Sequence, residues 1–254
     1  MKTLTADIKN GTFKNAYLIC GEEEYLKLNY KNQLIKAITD DNTMNLALYE
    51  GKNIDINDAI DNAETSPFFA EHRLIVMEST GMFKSGGEQL AEYMSKIPET
   101  TIFLFVEDNV DKRSKMYKAV KANGYICEIN RQTEKDLEIW AARIFASAGK
   151  KITKANMAYF ISNVGTDMEV LSNEIEKLIS YDLNKEVISK EDIDAVSIKQ
   201  LSVRIFDMVD AISVKNQKKT LDCYYELIEE KEDYIFLGWK EEYGDTCYTS
   251  ITLD

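Results

Sequence analysis

The chain is poor in the residues that carry most chemistry. It has one histidine, His72, and four cysteines in 254 residues. Cys20, Cys127, Cys223 and Cys247 stand far apart, with no C-x-x-C pair and no metal-ligand spacing. A lone histidine without a cysteine or serine partner makes neither a metal site nor a catalytic triad, so no metal and no catalytic residue is expected. His72 is assigned to a turn or to solvent. With 2 prolines and 11 glycines there is little material for long flexible linkers. No apolar run approaches the length of a membrane span, and the first residues, MKTLTADIKNG, lack the apolar core of a signal peptide. No membrane partner and a cytoplasmic location are therefore expected, with Cys20 and Cys127 as buried free thiols of a reducing compartment. A basic segment is also missing. Residues 1–131 carry 16 basic and 20 acidic side chains (net −4), residues 132–200 carry 9 and 12 (net −3), and residues 201–254 carry 6 and 12 (net −6). This argues against tight DNA binding by the chain alone and leaves a DNA contact shared within a larger assembly open.

What is present is a globular composition, 44% hydrophobic and 30% charged, enough for one large domain or two ordinary ones. Short apolar runs at Ala16–Cys20, Leu46–Tyr49, Leu74–Met77, Thr101–Val106 and Tyr125–Ile129 read as strands. Helical patterns separate them. Leu26, Tyr30, Leu34 and Ile38 recur every four residues, and Ile56, Ala59, Ile60 and Ala63 form one face of a helix over Ile54–Thr65. Further helices are expected over Glu88–Lys96, before Pro98, and over Asp111–Ala122, stopped by Gly124. Alternating strands and helices imply a parallel α/β sheet covered on both sides, over residues 1–131.

After Asn130 the pattern is helical. Thr133-x-x-Asp136 resembles a capping box, Thr153 and Thr166 open two more helices, and Ser189-x-x-Asp192 opens a fourth. Short capped helices joined by tight loops describe a small helical domain at 132–200, with Trp140 at core spacing. Amphipathic helices at Leu201–Asn216 and Gln217–Glu230 begin a third region, 201–254. There Leu221, Tyr225 and Ile228 form an apolar stripe. The tail at 234–254 shows no helical or strand periodicity.

The strand–glycine–helix junction at Gly21 is where a P-loop would sit, but G-x-x-x-x-G-K-[ST] is absent. Glu22, Glu23 and Glu24 occupy the helix start. Three carboxylates there satisfy the helix dipole and repel a triphosphate, so no nucleotide cofactor is expected. Lys27 lies too far along for a P-loop lysine and is assigned to the solvated face. Glu107-Asp108 closes an apolar strand as a magnesium-binding acidic pair would. Without a phosphate cradle it is read as a strand-end turn.

The chain is organised around AETSPFFAEHRLIVME at 63–78. Leu74–Met77 is a strand buried on both faces, and Ser66-Pro67-Phe68-Phe69-Ala70 is a turn that Pro67 stiffens. Two adjacent phenylalanines on that turn either cap their own core or are held out for a partner. The residues alone favour the core, because adjacent Phe residues are more often buried.

In its combination of GEEEYL (21–26), AETSPFFAEHRLIVME (63–78), FVEDNVDKRSKMYKAV (105–120), GKKIT (149–153), GTDMEVLSNEIEKL (165–178) and IFDMVDAI (205–212), the chain resembles the delta subunits of bacterial DNA polymerase III, in the AAA+ clamp-loader family. The resemblance spans residues 1 to about 230. It implies an AAA+-like domain of P-loop NTPase type with a degenerate P-loop, a helical lid, and an incomplete helical collar for oligomerisation. It also implies a non-catalytic subunit of a DNA-directed DNA polymerase (nucleotidyltransferase) holoenzyme that binds and opens the sliding clamp for DNA replication and does not hydrolyse ATP. The implied partners are the clamp (beta subunit), the gamma/tau and delta prime loader subunits, and primer-template DNA within the assembly only. The family's clamp-contacting hydrophobic pair matches Phe68 and Phe69, flanked by Pro67 and Ala70, which reverses the preference for the core. Lys112, Arg113 and Lys115 are candidates to face DNA. Two other classes remain as alternatives: an ATPase with a degenerate motif, and a DNA-binding module resting on the Lys112–Lys121 helix.

Overall fold

The computed structural model describes residues 2–40, 42–181, 183, 185–197, 205, 208–209, 211–213, 215–229, 234–240 and 246–252, with side chains in the last helix described as far as residue 225 and none in the two strands after it. The chain divides into two compact units, Met1–Gln132 and Thr133–Asp254.

The first unit is built on five parallel strands: β1 (Ala16–Cys20), β2 (Leu46–Glu50), β3 (Arg73–Glu78), β4 (Thr101–Glu107) and β5 (Gly124–Glu128). Their spatial order is β2-β3-β4-β1-β5. Strands β1, β3 and β4 read as continuous apolar runs because both faces of the sheet are covered. Side chains alternate between the faces. Leu18, Ile75, Met77, Phe103 and Phe105 enter one core, with Ala59 and Ala63 of α3 (Ile56–Glu64), Leu90 of α4 (Glu88–Tyr93), and Met116 and Val120 of α5 (Lys115–Asn123). Tyr17, Ile19, Leu74, Val76, Ile102 and Leu104 enter the other, with Leu4 of α1 (Lys2–Asn10) and Leu34 and Ile38 of α2 (Glu24–Thr39). Full burial of side chains of this size contributes about 1.5–3 kcal/mol each, so the two-sided cover fixes the strands as a rigid platform.

Three local expectations change. Helix α1 is not among the elements expected from the sequence. Helix α5 begins at Lys115, not Asp111, because the Ser114 hydroxyl caps it by accepting from the Tyr117 N–H. Gly124 is not a left-handed helix stop. It opens β5 in extended backbone, φ −158°, and a methyl group there would lie 1.9 Å from the Ala16 carbonyl oxygen. Glycine is required at that position because β5 approaches β1 so closely.

In the second unit α6 (Glu134–Ser147), α7 (Lys154–Val164), α8 (Met168–Tyr181) and α9 (Lys190–Val196) are joined by a short parallel pair, β6 (Lys151–Ile152) and β7 (Val187–Ile188). Leu137, Phe145, Phe160, Val164, Leu171 and Ile175 are buried, whereas Trp140 is half-buried. Thr133, Thr153 and Ser189 cap their helices as the sequence indicated, Ser189 with Asp192 in a reciprocal box. At α8 the cap is Asp167, not Thr166: its carboxylate accepts from the Glu169 and Val170 N–H groups, both at 3.0 Å. A carboxylate serves two N–H groups and the helix dipole together.

The expected helix over Leu201–Asn216 lies largely outside the described residues. Residues 205, 208–209 and 211–213 are helical, and Met208 packs with Ile205, Cys223 and Tyr224. A helix follows over Gln217–Glu229, with Leu221 and Tyr225 exposed; the Ile228 side chain lies outside the described residues. In the tail, read as unpatterned, β8 (Tyr234–Lys240) and β9 (Thr246–Thr252) pair antiparallel, Tyr234 opposite Thr252 and Lys240 opposite Thr246. The residues are strand formers by type, rich in Tyr, Ile, Phe, Trp and Thr, although they do not alternate cleanly in polarity.

Candidate functional site

Two places in the first unit could carry function: the carboxyl edge of the sheet, where an open α/β fold places its ligands, and the loop between α3 and β3.

At the carboxyl edge, backbone hydrogen bonds close the turn after β1. After β1 the backbone folds over itself: the Glu23 N–H donates to the Ile129 carbonyl at 3.2 Å, and the Ile129 N–H donates to the Cys20 carbonyl at 2.7 Å. Gly21 sits at φ +125°, and a Cβ there would be 2.2 Å from the Ile129 oxygen. The N–H at the helix entrance that a phosphate would use is thus engaged by a carbonyl. Lys27 is not on the solvated face as expected. It is 1% exposed and pairs with Glu24 at 2.7 Å and with Asp108. The long side chain runs back toward the sheet edge because the two carboxylates meet it there. Burial disfavours the charged lysine, but hydrogen bonds to Asp108 and Glu24 outweigh that and raise its pKa. The hydrogen bond from Lys27 holds the Asp108 carboxyl below its usual range.

Glu107 is 4% exposed and turns inward. Its Oε1 accepts from the Thr80 N–H (2.8 Å), the Thr80 hydroxyl (2.6 Å) and the Gly81 N–H (3.1 Å), which ties the end of β4 to the turn after β3. A cavity of about 440 Å³ beside it is flanked by Lys52 and Lys84, yet the backbone N–H groups of Thr80 and Gly81 already face Glu107. The acidic pair is therefore a strand-end brace. Cys20 and Cys127 are buried free thiols, and burial pushes the Cys20 thiol up to about 11, out of the reactive range. The ring of His72 packs edge-on against Phe13, with 6.0 Å between centroids.

The loop after α3 presents the opposite chemistry. Phe68 is 53% exposed and Phe69 92% exposed. The two rings meet edge to face at 4.5 Å between centroids. Pro67 beneath them is half-buried and Ala70 exposed. Phe69 adopts φ +49°, a left-handed conformation that costs a bulky L residue on the order of 1–3 kcal/mol. Asn45 answers it. This side chain is fully buried, its Nδ2 donates to the Phe68 carbonyl at 2.9 Å, and its Oδ1 accepts from the Phe68 N–H at 2.6 Å. Two such bonds contribute on the order of 1–3 kcal/mol net, the same size as the strain they hold. Asn45 itself ends the 3₁₀ turn Thr43–Asn45, which Asn42 caps and which runs straight into β2. Sequence reasoning missed Asn45: it lies 23 residues from Phe68, and a single Asn before a weak strand carries no signal of a long-range bond.

The proposed DNA-facing residues are separated by the shorter α5. Lys112 and Arg113 lie on the turn before the helix. Lys112 pairs with Glu128 at 2.8 Å and Arg113 with Asp111 at 3.1 Å, while Lys115 is the first residue of α5.

A five-stranded parallel sheet in this order, covered by helices on both faces and with the turn after β1 held by backbone hydrogen bonds, makes the first unit an open α/β domain. Residues 17–130 match the family model described as DNA polymerase III, delta subunit. The chain is 22% identical over 242 residues to the Bacillus subtilis DNA polymerase III subunit delta, covering 90% of this chain and 70% of the relative. It is also 22% identical to a delta-subunit relative from Aquifex aeolicus, covering 85% of this chain and 64% of the relative. The solved structure of the Bacillus subtilis DNA clamp loader delta protein superposes with a TM-score of 0.73 at 20% identity, over 91% of this chain and 72% of that one, and so shares its fold. Among the described residues no helix is long and apolar enough to cross a membrane.

Proposed function

We propose that the chain works as the delta subunit of a clamp loader: a cytoplasmic, non-catalytic protein that docks on the ring-shaped sliding clamp and opens it for loading onto primed DNA. The observation that carries this reading is the pair Phe68 and Phe69, held in water on a locked loop beside a rigid strand. A folded protein gains nothing for its own core from a ring left 92% exposed in a strained backbone conformation, so the arrangement is explained by a partner. Two adjacent aromatics fit a hydrophobic pocket, and a fixed loop loses little entropy on entering it. The closed turn at Gly21 and the engaged Lys27 and Glu107 favour this over an ATPase. In the complete loader the chain joins gamma/tau and delta prime subunits, the second unit serving as lid up to residue 200 and as the start of a collar after it. Lys112, Arg113 and Lys115 reach primer-template DNA only in that assembly.

The test is binding of the full chain to the sliding clamp of its own source, with and without ATP, by calorimetry. The reading expects a saturable complex whose affinity does not change with ATP. No complex at micromolar clamp, or saturable binding of ATP itself, refutes it.

A further inference from the structure

The loop that carries Phe68 and Phe69 runs from the end of α3 to the start of β3, and very little secures it. Among the described residues, the hydrogen bonds that tie residues 66–71 to the rest of the unit come from one side chain, Asn45. Those bonds act on both backbone groups of Phe68, donor and acceptor, and so fix the peptide plane on each side of it. The following residue is Phe69, whose positive φ decides where its ring points. Fixing the Phe68 peptides therefore fixes the geometry of the pair. Asn45 is suited to this. Its amide offers one donor and one acceptor side by side, the pattern a neighbouring strand would offer. It is fully buried, so water does not compete for it. It is anchored from both directions: Asn42 donates its N–H to the Thr39 carbonyl at the end of α2, and Leu46 pairs with Leu74 in the sheet. A rigid sheet edge thus reaches across to hold a loop whose rings lie in water.

We infer that Asn45 is a positioning residue for partner docking: it touches no partner, and it presets Phe68 and Phe69 in the conformation that enters the partner's pocket. The assignment rests on the reading that the pair docks on a sliding clamp. Its chemistry is preorganisation, in which affinity is lost when the loop must be ordered on binding.

The experiment uses the full chain and the clamp of its own source, with Asn45→Ala, Asn45→Asp, Phe69→Ala, the Asn45→Ala/Phe69→Ala double variant and Phe68→Ala/Phe69→Ala. Asn45→Asp is near-isosteric; it keeps the acceptor for the Phe68 N–H but sets a carboxylate oxygen against the Phe68 carbonyl. The expected result is a dissociation constant raised about tenfold or more in both Asn45 variants. Hydrogen exchange at the Phe68 amide should be faster in Asn45→Ala, while the amides of Leu74–Met77 in β3 stay protected as in the parent. With Phe69 already cut to alanine, Asn45→Ala should have much less effect, because there is no longer a ring to aim. Clamp affinity within twofold of the parent in Asn45→Ala overturns the assignment. So does an equal effect in the Phe69→Ala background, or loss of β3 protection in both Asn45 variants, either of which would make Asn45 merely structural. Undiminished clamp binding by Phe68→Ala/Phe69→Ala sinks the docking reading itself, whatever Asn45 does.

Discussion

Glu107→Ala removes the acceptor that braces the ends of β3 and β4. Three donors converge on it: the Thr80 N–H, the Thr80 hydroxyl and the Gly81 N–H. Glu107 and Thr80 are each 4% exposed, so the two Thr80 donors lose their partner in a place water reaches poorly. Leaving a buried donor unsatisfied costs roughly 1–3 kcal/mol. Thr80, Gly81 and Glu107 all line the cavity beside the brace, but Gly81 is only half-buried, so its N–H can be rehydrated. Two buried orphans at the lower part of that range, with partial rescue of the third donor, give a loss of about 2–4 kcal/mol. Glu107→Gln keeps an acceptor oxygen of the same reach and should lose about 1–2 kcal/mol. The assay must report on the first unit. Both tryptophans, Trp140 and Trp239, lie in the second, so fluorescence would miss the effect. Hydrogen exchange at the amides of β3 and β4 reads it directly, with a 2–4 kcal/mol loss accelerating globally protected amides by about 30- to 1,000-fold. Protection in Glu107→Ala within about twofold of the parent would refute the brace, and with it the argument that this acidic pair is structural.

Two further predictions follow from the closed sheet edge. Gly21→Ala places a methyl 2.2 Å from the Ile129 oxygen at φ +125°, so it should destabilise the first unit by about 3 kcal/mol or more, read by the same exchange measurement. The Lys27–Asp108 pair should show its sign at both ends of the pH scale. Asp108 is lowered by the hydrogen bond from Lys27, so its contribution is present above the ordinary carboxyl value of about 4 and fades as pH falls below it. Lys27 is raised, despite burial, by its carboxylate partners, so its contribution is present below about pH 10.5 and fades as pH rises past it. Because the Asp108 side chain is 62% exposed, solvent limits its contribution to about 1 kcal/mol. Asp108→Asn should differ from the parent by that amount at pH 7, and the two stability curves should converge in acid; curves that stay parallel through pH 3 would contradict the pairing.

Much of this architecture can be read from the chain because both faces of β3 and β4 are covered, which leaves uninterrupted apolar runs such as Leu74–Met77 and Thr101–Val106. The missing P-loop motif was equally plain. The way the turn is closed was not, since a carbonyl of Ile129 lies more than a hundred residues from Gly21 and carries no side-chain signature. The burial of Lys27 is illegible for the same reason: helix periodicity puts it beside solvent, and only the fold brings Asp108 to meet it. The helix α5 starts later than its pattern suggests because Ser114 caps it, while the Asp111 carboxylate accepts from Arg113 in the turn before it. The phenylalanine pair is the most instructive case. Local preference buries adjacent Phe residues. Here a distant buried Asn45 stabilises the one backbone conformation that keeps them out, and no local pattern encodes that bond.

Phe68→Ala/Phe69→Ala, measured for clamp affinity and melting temperature on the same preparation, tests the central claim most directly. Phe69 has nearly its whole side chain to bury and Phe68 about half, which at 1.5–3 kcal/mol per fully buried ring gives about 2–4 kcal/mol. The dissociation constant should rise roughly 30- to 1,000-fold. The melting temperature should stay nearly unchanged, since rings already in water contribute little to their own fold and truncating Phe69 does not remove the Asn45 bonds to the Phe68 backbone. Unchanged clamp binding, or a large fall in melting temperature, would contradict it.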